Sequence, residues 1–336
     1  MQYCCYYLLS FSPHLLPQHN AAHMRFKMEK HIKGLHHVTS MATDAQQNNA
    51  FFTQTLGMRR VKKTVNFDAP EVYHLYYGDE VGTPGSVMTY FPFGRMPNGT
   101  RGAGEVGVTE FAVPHGTLGY WKDRLSAQKV TGLAEDTFLG ENRLSFDGPD
   151  GDGFALVETG PAGRTAWTGT DVPVDAGILG FNGARFRLRD AAATGELLGF
   201  MGYQKDETDG NVTRYRIEGG NAADTIDLEE IPGANAARQG GGSVHHIAFA
   251  VEDRAAQLEV RKALLDTGYQ VTPVIDRDYF WAIYFQTPGG VLFEIATNEP
   301  GFDRDEDTAN LGQALMLPDR YKPYRDKIEP RLPELS

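Results

Sequence analysis

One short pattern recurs four times along the chain and limits its possible folds more than any other feature. Each copy opens on a strand, at Leu35 to Met41, Val106 to Val113, Phe181 to Leu188 and Val244 to Val251. Aligned by their apolar alternation, these strands put His37, Val108, Gly183 and His246 in register. Seven residues further on stand Asp44, His115, Asp190 and Asp253, so three of the four copies offer a good N-cap at the same place. Helical stretches follow, such as Ala45 to Leu56 and Arg254 to Asp266, with Gly57, Gly199 and Gly268 expected as left-handed C-caps. β-rich runs come next, including Val72 to Tyr77, Arg214 to Ile217 and Trp281 to Phe285. Turns at Pro149-Asp150-Gly151 and Pro288-Gly289-Gly290 lead into last strands, Phe154 to Glu158 and Val291 to Ala296.

Each copy therefore reads as a βαβββ unit, separated from the next by breaks rich in Gly, Pro and Ala near 94–104, 161–176 and 231–243. A four-unit chain of 336 residues is too long for one ordinary core. The sheet of one unit cannot bury both faces alone, so units should pair. The expected architecture is an α+β fold of two open β-cups with helices outside and mostly antiparallel pairing within each unit. By sequence, residues 31–165 form a first two-unit domain, 176–300 a second, and 301–336 a C-terminal extension.

The formal charge of −12 lacks the Lys/Arg surplus that neutralises phosphates, so neither nucleic acid nor an anionic membrane is an expected partner. Both cysteines, Cys4 and Cys5, lie at the extreme N-terminus, leaving the folded body without thiols. That fits a reducing cytoplasm and restricts any metal site to imidazole and carboxylate. The apolar run Tyr3 to Phe11 is too short to span a bilayer and lacks the marks of a signal peptide. Residues 1–30 are expected to be a flexible tail or an over-extended start.

Two copies carry a His pair on the first strand: His36-His37-Val38-Thr39 and His245-His246-Ile247-Ala248. Strand neighbours point to opposite faces, so one imidazole of each pair should face the cup, and His37 and His246 are the choice for ligands. A lone strand histidine is more often a hydrogen-bonded core residue, but the same dipeptide at equivalent places in two copies argues for metal. The third ligand should come from a last strand, where Glu294 sits between apolar Phe293 and Ile295 and needs a strong partner. Its counterpart in the first unit is Thr89 or Tyr90, neither a carboxylate. Two His and one Glu form the facial triad of Fe(II) enzymes that activate oxygen. The second and third units place Val108, Ala155 and Gly183 at the matching positions, with only Asp227 as a carboxylate. The active cup should thus join units one and four, leaving a structural cup from units two and three.

These motifs, with Gly34-Leu35 before the first His pair, Ser243-Val244 before the second and Thr287-Pro288-Gly289-Gly290 before Glu294, resemble the vicinal oxygen chelate (VOC) superfamily. That superfamily has the glyoxalase/bleomycin resistance/dihydroxybiphenyl dioxygenase fold, and the chain is most similar to its ring-cleaving dioxygenases of hydroquinones. The resemblance covers residues 34–325. It implies Fe(II), with Mn(II) as the alternative ion, on His37, His246 and Glu294. It also implies catalytic roles for His36, Thr39, His245, Arg277 and Tyr284. The substrates would be a small aromatic diol and O₂, both oxygen atoms entering the product, with no redox cofactor because the diol supplies the electrons. Phe67, Tyr73, Phe91 and Trp281 suggest a flat, apolar guest. Open sheet edges are compatible with a homo-oligomer.

Three rival readings make distinct demands. A catechol-cleaving extradiol enzyme usually draws its ligands from one half of the chain. A glyoxalase-type isomerase or lyase on Zn²⁺ or Ni²⁺ needs a carboxylate at Thr89 or Tyr90. A drug-sequestering binder has no use for the triad.

Overall fold

The computed structural model describes residues 30–335, so Cys4, Cys5 and almost all of the expected 1–30 tail lie outside the described residues. The first unit comprises β1 (Leu35–Ala42), α1 (Ala45–Ala50), β2 (Arg59–Val65), β3 (Tyr73–Gly78) and β4 (Val87–Pro92). The second holds β5 (Glu105–Pro114), α2 (Leu118–Ala127), β6 (Ala134–Phe138), β7 (Glu141–Asp147) and β8 (Gly153–Thr159). The third follows with β9 (Phe181–Leu188), α3 (Ala192–Phe200), β10 (Gln204–Asp209), β11 (Val212–Arg216) and β12 (Thr225–Glu230). β13 (Val244–Val251), α4 (Arg254–Asp266), β14 (Ile275–Asp276), β15 (Phe280–Gln286) and β16 (Leu292–Pro300) make the fourth.

Two eight-stranded sheets result, ordered β14-β15-β16-β13-β1-β4-β3-β2 and β10-β11-β12-β9-β5-β8-β7-β6. The first joins units four and one, the second units three and two, so each curled sheet takes one unit from each half of the chain. Within every unit the first strand runs parallel to the last, and the other pairings are antiparallel. The seams are antiparallel, β1 on β13 and β5 on β9. One apolar core runs under both sheets, with Phe52, Trp121, Phe249 and Phe293 among its members.

Local chemistry explains most helix ends. Asp44 accepts from the Gln47 amide at 2.7 Å and Asp253 from the Ala256 amide at 2.8 Å, the expected caps. His115 does not cap; the Glu158 carboxylate, reaching over from β8, accepts from the Gly116 and Thr117 amides at 2.7 and 3.1 Å. The first helix is shorter than expected because a π-helical turn at Phe51–Thr55 replaces its second half. Gly57 and Gly268 adopt left-handed φ values of 67° and 92°, as expected of C-caps, whereas α3 runs through Gly199 and the chain turns at Gly202 with φ 102°.

Two of the glycine-rich breaks are paired rather than free. Residues 98–103 bridge residues 236–241, with Asn98 opposite Gly241 and Thr100 opposite Arg238. The approach is so close that a Cβ on Gly102 would lie 2.4 Å from the Asn235 carbonyl, so only glycine fits. Residues 301–335 lie along the otherwise open edge of β2: the Met316 amide donates to Lys63 at 2.9 Å, and fully buried Lys62 is neutralised by Asp305 at 2.7 Å and Glu306 at 2.5 Å. Among the described residues no helix is long and apolar enough to cross a membrane.

The second sheet fills its concave face with ion pairs. Arg214 grips Asp227 through Nε at 2.8 Å and Nη2 at 3.0 Å, and Arg143 reaches Glu110 at 3.2 Å. Arg143, Arg185 and Arg214 all pack on the Phe138 ring, at 4.6, 4.5 and 5.4 Å. Breaking a buried pair strands a charge, while replacing both partners by apolar groups does not. Arg214→Met should therefore lower unfolding free energy by about 3–5 kcal/mol in urea titrations. The double variant Arg214→Met/Asp227→Leu should lose less; a larger loss in the double variant would contradict this.

Candidate metal centre

Three strands of the first sheet converge on one point. His37 comes from β1, His246 from β13 and Glu294 from β16, all buried. The ladder sets their mutual position: Thr39 lies opposite His246, and Ala248 opposite Glu294. The Nε2 atoms of His37 and His246 are 3.4 Å apart, and Glu294 Oε2 lies 3.3 Å from the former and 2.9 Å from the latter. Donors held at right angles, each about 2.1 Å from one ion, lie about 3.0 Å from one another, so the trio fits a single metal. Glu294 has no exposed surface, and its carboxylate faces the His37 and His246 imidazoles. Burial alone would raise its carboxyl pKa, but the His37 and His246 imidazoles hold it well below the usual range. A carboxylate so placed calls for a cation.

The neighbouring histidines fix the imidazole tautomers. His36 Nδ1 is 2.9 Å from His37 Nδ1, and His36 Nε2 is 3.1 Å from the Thr297 carbonyl. That carbonyl only accepts, so His36 carries its hydrogen on Nε2 and its Nδ1 accepts from His37 Nδ1–H. This leaves the His37 Nε2 lone pair free for the metal. On the other side His246 Nδ1 lies 2.8 Å from His245 Nδ1. There, His245 Nε2 has no hydrogen-bond partner among the described residues, unlike its counterpart on His36.

Strict alternation would have put the members of each pair on opposite faces. Instead the β1–β13 register jumps from Leu35 to His37 and from Val244 to His246, so His36 and His245 are β-bulge residues. Phe280 packs on both His36 and His37, at 5.2 and 4.9 Å. The second sheet keeps both bulges but places Gly107 and Asn182 there.

The remaining expected residues surround the triad. Arg277 donates from Nε to the Tyr284 hydroxyl at 3.2 Å and reaches Asp68 at 3.4 Å, so it is not the solvated loop residue its polar neighbours suggest. Tyr284 lies opposite Glu294 in the ladder, 5.6 Å from the His246 ring, its phenol pKa raised by burial. Thr39 is buried and accepts from Thr89 at 3.0 Å. Thr89, not Tyr90, is the counterpart of Glu294, since Thr39 pairs with Thr89 as Ala248 does with Glu294.

Of the aromatic residues, Phe67 joins the cluster of Tyr76, Tyr279 and Phe280, and Phe91 lies 6.0 Å from His245. Tyr73 faces the opposite core and Trp281 stacks under Arg254, so neither lines the cup. Sequence reading missed Phe280, which alternation from Tyr284 would have found, and His74, a lone histidine without a counterpart in another copy.

Comparison with known proteins agrees with this geometry. Residues 153–295 match the Glyoxalase/Bleomycin resistance protein/Dioxygenase superfamily. MhqO of Bacillus subtilis (strain 168), named as a ring-cleaving dioxygenase, is 41% identical over 90% of this chain and 96% of its own. A chlorohydroquinone/hydroquinone 1,2-dioxygenase of Sphingobium indicum is 35% identical over 90% of this chain and 96% of its own. The crystal structure of a Bacillus subtilis protein described as a dioxygenase superposes with a TM-score of 0.88 at 40% identity, covering 91% of this chain and 98% of that one. The chain belongs to the glyoxalase/bleomycin resistance protein/dioxygenase superfamily, and within it to the ring-cleaving dioxygenases, a class of oxidoreductases. Membership in that class implies a bound metal, for which these three residues are the candidate site.

Burial lowers His36 and His245 from 6.5 to about 3, with His37 and His246 respectively adding to the effect. Between those values the unfolded chain binds more protons than the folded one, so stability rises with pH across that window. The metal-free protein should hold its highest urea midpoint above pH 6.5 and lose stability steadily as pH falls from there to 5. His245→Gln should flatten that slope. A midpoint independent of pH over this range would contradict the assignment.

Proposed function

We propose that the protein is a mononuclear Fe(II) dioxygenase that opens the ring of a hydroquinone and inserts both atoms of O₂. The observation that carries this reading is the set of three donors, two imidazoles and one buried carboxylate, at the mutual spacing one octahedral ion requires. Two imidazoles and a carboxylate suit iron, and three protein donors leave neighbouring coordination positions for a diol and oxygen. Glu294 has Thr89 rather than a carboxylate as its counterpart, which disfavours a four-ligand isomerase. The relatives named as ring-cleaving dioxygenases, one of them for hydroquinone, support the same class of substrate.

Bound Fe(II) would bring diol and O₂ together and pass electron density from the ring to oxygen, lifting the spin barrier to their direct reaction. The chain's own residues do the rest. His245 Nδ1 accepts from His246, so its free Nε2 carries a hydrogen to donate to a ring oxygen. Arg277 places a positive charge beside the site and favours the deprotonated form of that oxygen. The Tyr284 hydroxyl accepts from Arg277, which leaves its own hydrogen to give. His36, tied to the Thr297 carbonyl, orients His37 rather than touching the guest. Phe280, Tyr279 and Phe67 wall the cup with apolar surface and keep water from the ring.

Anaerobically Fe(II)-loaded protein offered hydroquinone, methylhydroquinone and catechol should consume one O₂ per ring opened, fastest with a para-diol. His246→Ala should reduce uptake to background. No uptake with any diol by protein holding one iron per chain would overturn the reading.

A further inference from the structure

His74 is a buried histidine within the active cup that neither the triad nor its neighbours use. It lies on β3, two residues before Tyr76, and alternation puts both side chains on the concave face. Tyr76 Oη is 2.8 Å from His74 Nδ1, His74 Nε2 is 2.8 Å from Thr89 Oγ1, and Thr89 donates to Thr39 at 3.0 Å. Thr39 stands two residues after His37, on the same face of β1.

The direction of this chain follows from donor counting. Thr89 has one hydroxyl hydrogen and gives it to Thr39, so from His74 it can only accept. His74 must then carry its hydrogen on Nε2, and its bare Nδ1 accepts from the Tyr76 phenol. Burial keeps His74 well below the usual imidazole range, in the neutral form this pattern needs. Two valences remain unused among the described residues: the Thr39 hydroxyl hydrogen, beside the metal ligands, and a lone pair on Tyr76 Oη, further along the wall.

Nothing in the fold requires such a chain. Tyr76 occupies the position in unit one that Tyr284 occupies in unit four, since Tyr76 pairs with Thr89 as Tyr284 does with Glu294. The residue matching His74 in unit four is Ala282. In the second cup the positions of His74, Tyr76 and Thr89 hold Arg143, Ser145 and Ala155. Among the described residues the chain exists only beside the triad, and only on one wall. That wall is neutral, whereas the Tyr284 wall carries the Arg277 charge.

We infer that the Tyr76–His74–Thr89–Thr39 chain recognises a diol through two separated oxygens, one beside the metal accepting from Thr39 and a remote hydroxyl donating to Tyr76. His74 is its positioning residue, setting the direction of every hydrogen bond in it. This specificity for a second, non-adjacent hydroxyl rests on the ring-cleaving reading above. A guest without that hydroxyl loses one partner and leaves the Tyr76 lone pair buried and unmet.

The test compares anaerobic binding of hydroquinone and p-cresol, which lacks the second hydroxyl, to Fe(II)-loaded wild type, His74→Phe and Tyr76→Phe. Iron content and urea midpoint check that each variant is folded, and Tyr76→Phe, which removes a single oxygen, serves if His74→Phe is not. Hydroquinone affinity should fall about 10-fold in Tyr76→Phe while p-cresol affinity stays unchanged, and in His74→Phe hydroquinone should lose more than p-cresol, a split that a merely structural role would not produce. Equal losses for both guests, or no loss for either, would overturn the inference. O₂ uptake by wild type with hydroquinone reports separately on the ring-cleaving reading. Uptake that persists while the variants still discriminate between the two guests as wild type does would sink only the subsite.

Discussion

A carboxylate with no exposed surface, set against two imidazole nitrogens, makes the strongest demand in the first cup, and the arrangement of that cup answers to it. Glu294 is tolerable because two imidazole nitrogens from two other strands stand within 3.3 Å of it, close enough to share one cation. That convergence requires the first strand of the first unit to pair with the first strand of the last, across 209 residues of chain. Non-local pairing of this kind lets the active cup draw on both halves of the sequence. The same exchange leaves units two and three to pair with each other.

The two cups solve the same burial problem by different means. In the second, Asp227 stands where the first has Glu294, and Arg214, where the first has Tyr284, satisfies it with two hydrogen bonds. A guanidinium there does the electrostatic work that a bound metal would do in the first cup. Within the active cup the pseudo-symmetry is also broken. His36 is tethered to a backbone carbonyl and His245 is not, and one phenol meets an arginine while the other meets a neutral histidine. Orientation on one side and free donors on the other give the site a direction.

Much of this was legible in the sequence because its signals are periodic. Four strands, the Asp44 and Asp253 caps, two His pairs and one misplaced glutamate in an apolar strand were enough to place the cups and the triad. The bulges were not legible: one extra residue at His36 and at His245 breaks the alternation rule, and no residue type announces it. The same rule, applied from Tyr284, excludes Trp281 and brings in Phe280, and applied from Tyr76 it excludes Tyr73, so both misplaced aromatic residues came from reading β-rich runs without their faces. Gly199 misled because a glycine inside a helix looks like one at its end. His74 stayed hidden because its meaning lies in Thr89, on the neighbouring strand.

Anomalous X-ray scattering at the iron edge, from crystals loaded with Fe(II) without oxygen, tests the central claim most directly. The account predicts one peak per chain in the first cup, about 2.1 Å from Nε2 of His37, Nε2 of His246 and a carboxylate oxygen of Glu294, and none in the second cup beside Asp227. Iron bound elsewhere, or a peak that persists in place after Glu294→Ala, would contradict it.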